Sequence, residues 1–134
     1  MIGSSFINID SMHPHEKVLP DRAESMFQYV RSLSPHIVIP SIILCSKTNV
    51  IIDGHHRYFA LKKLNIIYAP ATYINYNDNR ILTHTKNDLA PEKKTITSSI
   101  GSKVLEPKTS FHHISFNNEL LPIILLSDLM LVQN

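Results

Sequence analysis

VIIDGHHRY, at residues 50–58, reads as a β-branched strand that stops at Gly54 and passes directly into a helix. A helix N-terminus presents unpaired backbone N–H groups and partial positive charge, and a glycine lets a ligand approach the backbone closely. Arg57, in the first helical turn, is a bidentate donor suited to phosphate. We therefore expect its side chain to face a ligand rather than the core.

Three further polar residues strengthen this prediction of a phosphate-binding turn. His55 and His56 add donors beside the glycine, and Asp53 at the strand end suits Mg²⁺, a usual companion of phosphates. The alternative is a helix whose first turn merely carries polar residues, because a lone glycine motif is weak evidence. The unbroken polar run favours a ligand site.

Length and charge exclude several classes of protein. The chain has 134 residues, of which 43% are hydrophobic and 18% charged, so we expect one domain over residues 1–134 rather than a disordered polar chain. A net charge of +2 gives no strong basic field, and nucleic acid is not an expected partner. No apolar run reaches the roughly 20 residues of a membrane helix, and no secretory signal is visible. These bounds favour a cytoplasmic protein.

The first half of the chain alternates short strands with helical segments. Residues 6–9 form a strand, and Pro20 opens a helix whose apolar residues recur at helical spacing and which ends before Pro35. Residues 38–44 and 50–53 are β-branched runs joined by a link of hairpin length. A helix after the glycine turn then completes a β-α-β-β-α order.

The second half is predicted to be richer in strands. Residues 69–76 form a strand, and Pro70 suggests an edge position. Residues 83–102 are polar and read as a long surface loop, whereas residues 104–116 are extended. The apolar run at residues 120–126 fits the core better than an oligomer contact, and the sequence does not fix an oligomeric state. The expected fold class is α+β, a small mixed sheet with helices.

DGHHRY, at residues 53–58, resembles the signature of the ParB/sulfiredoxin superfamily, and this version is similar to that of its free serine kinases. The resemblance implies a ParB/sulfiredoxin-like fold and transfer of a phosphoryl group from ATP or ADP to free L-serine, giving O-phospho-L-serine. It implies that Gly54, His55, His56 and Arg57 bind the nucleotide phosphates, with Mg²⁺ near Asp53. Mg²⁺ and the nucleotide are thus the expected cofactors, and L-serine is the expected substrate.

Two other segments agree with the kinase branch. MHPHE, at residues 12–16, resembles the kinases' Pro-His-Glu loop, and the resemblance makes Glu16 the catalytic base and His15 a substrate contact. When they are protonated, the histidines beside Glu16 would also keep its carboxylate ionised. The alternative for Glu16 is an ordinary solvent-exposed loop carboxylate.

EPKTSFH, at residues 106–112, resembles a later segment of the kinases that is thought to close over substrate. The resemblance implies substrate binding by Lys108, Thr109, Ser110 and His112. Ser110 stands where a second threonine is usual, and Phe111 stands where arginine often precedes the histidine.

The histidines and the single cysteine leave two other kinds of chemistry open. His55, His56, His112 and His113 could converge on zinc, although adjacent histidines on an extended segment point to opposite faces. Cys45 lies away from the position of a sulfiredoxin nucleophile, so we expect a small buried apolar residue.

The second functional hypothesis is a ParB-like nucleotide-binding regulator or DNA-binding module. ParB-type DNA binding uses a helix-turn-helix after the nucleotide domain, whereas the sequence after residue 64 looks rich in strands. The kinase hypothesis is therefore preferred.

Overall fold

The computed structural model describes residues 3–84, 93, 96 and 111–132. The α-helices whose full extent is described are α1 (Pro20–Ser32) and α2 (His55–Lys63), and short 3₁₀ helices lie at Ile9–Ser11 and Ile123–Leu126. Its strands are β1 (Gly3–Asn8), β2 (Val38–Pro40), β3 (Ile42–Cys45), β4 (Ile51–Asp53), β5 (Tyr68–Ile74), β6 (Ile81–His84), β7 (Phe111–Phe116), β8 (Glu119–Pro122) and β9 (Leu129–Leu131).

The main sheet has the strand order β1-β5-β3-β4. Strand β5 runs antiparallel to β1 and parallel to β3, and β3 and β4 form the predicted antiparallel hairpin. Buried residues of both helices, among them Val30 and Leu61, join residues of this sheet in one apolar core. The predicted α+β fold with a small mixed sheet is confirmed, and so are both predicted helices.

The predicted edge position of Pro70 is wrong, because β5 lies inside the main sheet. Pro70 is opposite Phe6, and the Ile9 amide donates to the Ile67 carbonyl in the same register. Because bonded pairs alternate along an antiparallel ladder, Phe6 and Pro70 form a non-bonded pair. The backbone nitrogen of Pro70, which carries no hydrogen, therefore faces away from β1. On that side β3 pairs with β5 only from Ala71 onward, so no hydrogen bond is lost.

The predicted strand over residues 38–44 is two strands in different sheets. Strand β2 pairs with β9, whereas β3 joins the main sheet. The chain breaks after Pro40, where the Ser41 amide donates to the Asp128 carbonyl and the Ser41 hydroxyl accepts from the Asp128 amide. This break matters for the site, because the Ser41 carbonyl contacts α2.

A three-stranded sheet, β6-β7-β8, follows the main sheet. The loop predicted at residues 83–102 is wrong where the structure describes it: residues 83 and 84 belong to β6, and Lys93 and Ile96 are helical. The other residues of the predicted loop lie outside the described residues. Strand β7 confirms the described part of the extended segment predicted at residues 104–116.

The apolar run at residues 120–126 is mostly exposed, so the prediction of a core segment is wrong for most of it. Ile123 is buried, whereas Leu120 is 55% and Leu125 63% exposed. The 3₁₀ helix turns Ile123 inward and leaves Leu125 on the surface, whereas Leu126 is half-buried and packs against the core. None of the helices in the described part of the chain is long and apolar enough to span a membrane.

Candidate active site

A cleft of about 380 Å³ opens at the N-terminus of α2 and collects most of the described site residues predicted from the sequence. The turn after β4, the loop before α1, the start of β7 and the 3₁₀ helix after β8 form its walls. The predicted residues that line it are Glu16, Asp53, Gly54, His55, His56, Arg57 and His112. Lys108, Thr109 and Ser110 lie outside the described residues, and their substrate contacts stay predictions.

Gly54 is the N-cap of α2 and needs to be glycine for two reasons. Its φ of 108° lies in the left-handed region that side chains disfavour. A Cβ at this position would also lie 2.8 Å from Nη2 of Arg57. The turn is therefore built around a guanidinium packed directly beneath its backbone.

Arg57 was expected to face a ligand rather than the core, and the structure places it in the wall of the cleft but largely buried. Arg57 is only 7% exposed, and its Nη2 donates to the Ser41 carbonyl at 3.1 Å and to Oδ2 of Asp53 at 3.4 Å. Burial lowers the pKa of the guanidinium, and Asp53 opposes that shift. Arg57 thus fastens α2 to the break between β2 and β3, and a phosphate contact by this side chain stays a prediction.

Glu16 lies in the cleft between two buried histidines. Its side chain is 11% exposed, with Oε2 3.8 Å from Nε2 of His15 and Oε1 4.0 Å from Nδ1 of His55. This position is not that of an ordinary loop carboxylate in bulk solvent. A partly desolvated carboxylate at a cleft wall suits a general base.

His15 is a buried neutral residue rather than an open cleft residue. It is fully buried, and its Nδ1 donates to the Ile51 carbonyl. Burial lowers the pKa of His15 to about 4, so its contact with Glu16 is not an ion pair at neutral pH. The predicted contact between His15 and substrate stays a prediction, because the imidazole lies behind the cleft surface.

The stability of the protein should therefore fall as pH drops from about 6.5 towards 4. An unfolded chain binds a proton on residue 15 over this range and the folded chain does not, so acid favours unfolding. The lowering of the His15 pKa from 6.5 to about 4 corresponds to a loss of roughly 3 kcal/mol in the free energy of unfolding. Urea unfolding across this range measures the loss. In His15→Asn, whose amide can still donate to the Ile51 carbonyl, the curve should be flatter, and an equally steep curve would contradict the assignment.

His112, the last residue of the third predicted motif, lines the cleft. It is 8% exposed, and its Nε2 lies 2.7 Å from the Tyr76 hydroxyl, which is also 3.1 Å from the hydroxyl of Thr83. Burial raises the pKa of Tyr76 to about 12, so the phenol stays neutral. The imidazole of His112 also meets that of His15 edge-on. His112 and the Glu16 loop thus lie at the same cleft.

Asp53 fits the requirements of a Mg²⁺ ligand. Its side chain is 34% exposed and lines the cleft, and only Oδ2 faces Arg57. Mg²⁺ keeps several waters and needs only one or two carboxylates beside substrate phosphates. The alternative of a zinc site gains no support, because no three His, Cys, Asp or Glu side chains of the described residues are grouped to hold a metal.

Sequence reasoning missed Arg22, an exposed arginine in the first turn of α1 that also lines the cleft. The signal was available, since Arg22 lies two residues after Pro20, at the start of the helix that follows the Glu16 loop. Cys45 is buried as expected and does not line the cleft.

The fold is that of the free serine kinases. A solved structure of a free serine kinase with AMP has a TM-score of 0.71 and 15% identity, with 89% of this chain and 90% of that chain covered. A conserved hypothetical protein from Pyrococcus furiosus has a TM-score of 0.75 and 17% identity over 97% of this chain and 95% of its own. No family model matches the chain.

Sequence comparison finds relatives named as serine kinases, which confirms the resemblance. An ATP-dependent L-serine kinase from Staphylothermus marinus is 34% identical over 83 residues, 59% of this chain and 32% of its own. An ADP-dependent L-serine kinase from Thermococcus kodakarensis is 28% identical over 60% of this chain and 34% of its own. A ParB-like protein from Sulfolobus acidocaldarius is 30% identical over 57% of this chain and 37% of its own. The chain thus spans about a third of the length of the curated relatives it matches.

Proposed function

We propose that this protein transfers a phosphoryl group from ATP or ADP to free L-serine and releases O-phospho-L-serine. The observation that carries the proposal is that the Glu16 carboxylate and the N-terminus of α2 open into one cleft. An acceptor hydroxyl at Glu16 and a phosphate at the helix N-terminus would therefore meet there. The relatives named as serine kinases support the choice of substrate.

The nucleotide phosphates would lie against the backbone N–H groups at the start of α2, where Gly54 exposes the main chain. Arg22, which also lines the cleft, would add an exposed guanidinium. Asp53 would hold Mg²⁺, which when bound neutralises charge on the phosphates. These groups position the donor; none of them needs to form a covalent bond to it.

Glu16 would act on the acceptor. The serine hydroxyl oxygen bonds to the terminal phosphorus, the bond from that phosphorus to the nucleotide's bridging oxygen breaks, and Glu16 takes the hydroxyl proton. His112 would contact the amino acid or the transferred group, together with Lys108, Thr109 and Ser110. A nucleotide-dependent reaction of this kind also fits a cytoplasmic location.

The test is direct product detection with this chain alone. Incubation with L-serine, Mg²⁺ and either ATP or ADP should give O-phosphoserine, identified by phosphorus NMR, and omission of serine should abolish it. Parallel reactions with ATP and ADP identify the donor. Absence of O-phosphoserine with both nucleotides, while either of them binds, would refute the kinase proposal.

Asp53→Asn should reduce Mg²⁺-dependent turnover more than nucleotide binding. The amide keeps the size of the carboxylate but loses the charge that a hard cation prefers. Turnover measured at limiting Mg²⁺ should fall steeply, whereas nucleotide titrated without Mg²⁺ should bind nearly as in the wild type. Normal turnover at limiting Mg²⁺ would leave Asp53 only its ion pair with Arg57.

The ParB-like relative keeps a nucleotide-binding regulator as the second candidate. A retarded band with duplex DNA at physiological salt, without serine-dependent consumption of nucleotide, would favour that candidate. Both α1 and α2 contribute buried residues to the core around the main sheet.

A further inference from the structure

The two adjacent histidines of the glycine turn contact the backbone of the Glu16 loop, which comprises residues 13–19. Nε2 of His55 lies 3.1 Å from the backbone nitrogen of His15 and 3.4 Å from that of Glu16. Nε2 of His56 lies 3.1 Å from the backbone nitrogen of Leu19, the N-cap of α1. The pair therefore contacts the loop at its centre and at its end.

These contacts fix the form of both imidazoles. A backbone N–H can only donate, so each Nε2 must offer a lone pair, and the proton of the neutral ring is then on Nδ1. In His55 that nitrogen lies 4.0 Å from Oε1 of Glu16. The ring thus accepts from the main chain of Glu16 and directs an N–H towards its carboxylate.

The start of the loop is held separately by β4. The His13 amide donates to the Asn49 carbonyl, and the Ile51 amide donates to the His13 carbonyl, at 2.9 and 2.8 Å. The backbone of the loop is thus attached to β4 at its first residue and to α2 at its middle and last residues. A carboxylate held between such attachments has a defined position relative to the helix N-terminus.

We propose that His55 and His56 are positioning residues that clamp the Glu16 loop against α2, rather than donors to the nucleotide phosphates. This inference rests on the proposed function only for the expected effect of the clamp on phosphoryl transfer. The adjacency of the two histidines then has a mechanical reason: one side chain sets the place of the carboxylate, and the other sets the entry into α1. Phosphate binding remains with the backbone of the turn and Arg22.

Amide hydrogen exchange tests the clamp without reference to activity. In His55→Ala, the amides of residues 15 and 16 should exchange roughly twofold to tenfold faster, as expected for loss of one hydrogen-bond acceptor, and the amide of Leu19 should change less. In His56→Ala, the order should reverse. The glutamine variants restore an acceptor near the position of Nε2 and should recover much of the protection.

Kinetics provide the second readout. His55→Ala should lower kcat by on the order of tenfold to a hundredfold, because a displaced base no longer meets the acceptor hydroxyl, while the dissociation constant of ADP stays near wild type. His55→Gln should recover part of kcat. His36→Ala, which alters an exposed histidine between α1 and β2, is the matched control and should change neither quantity.

The outcomes separate the two proposals. Unchanged exchange at residues 15, 16 and 19 in folded alanine variants would overturn the clamp, and so would a large rise in the ADP dissociation constant with kcat retained, which would indicate a phosphate contact. Faster exchange in the alanine variants, together with no O-phosphoserine from the wild-type protein, would support the clamp and refute the kinase proposal.

Discussion

Glu16→Gln is expected to abolish most serine phosphorylation and to leave nucleotide affinity near the wild-type value. The amide has nearly the shape of the carboxylate and can still hydrogen-bond the acceptor hydroxyl, but it cannot take its proton. Loss of a general base costs on the order of 10²–10⁴-fold in rate. The measurement is O-phosphoserine formation at saturating serine, with nucleotide binding determined on the same sample.

A second carboxylate provides the control. Glu24 lies exposed on α1, where it pairs with Gln28 and Lys63 away from the cleft. Glu24→Gln should retain full turnover, because its carboxylate faces solvent and lies outside the cleft. If Glu16→Gln keeps more than about a tenth of wild-type turnover, Glu16 is not the base. The nucleotide-binding regulator would then become the better proposal.

The sequence predicted the elements that carry the site because their signals are local. The glycine between a β-branched run and a helical pattern predicted the junction at Gly54, and Pro20 predicted the start of α1. The cleft between these elements was predicted only through the resemblance, since no local pattern places Glu16 beside His55. The described site residues lie around one cleft, which agrees with the resemblance.

The errors have a common physical origin in tertiary contacts. Pro70 lies in an internal strand because its missing N–H falls where β3 does not pair, which depends on the register between strands. The run at residues 38–44 breaks because Ser41 bonds to Asp128, far along the chain. Arg57 turns inward because its guanidinium donates a hydrogen bond to the Ser41 carbonyl, which lies at that break. A position in the first turn of a helix does not reveal such a partner.

Substitution of Arg57 should consequently reduce the stability of the fold, whereas substitution of Arg22 should weaken nucleotide binding. Arg57→Ala removes a buried donor to the Ser41 carbonyl and an ion pair with Asp53, and it leaves a cavity beneath Gly54. Loss of a charged hydrogen bond at a buried site costs roughly 2–3 kcal/mol. The melting temperature should fall by about 7–10 °C in a chain of this length.

Arg22→Ala should leave the melting temperature almost unchanged, because the side chain is exposed, and should weaken ADP binding by roughly tenfold, as loss of one charge-assisted phosphate contact implies. Thermal unfolding without ligand and ADP titration of each folded variant separate the two effects. The assignment fails if Arg57→Ala melts like the wild type and binds ADP poorly, since the guanidinium would then leave Ser41 to meet the phosphates. It fails equally if Arg22→Ala binds ADP normally, because the exposed arginine of the cleft would then face no phosphate.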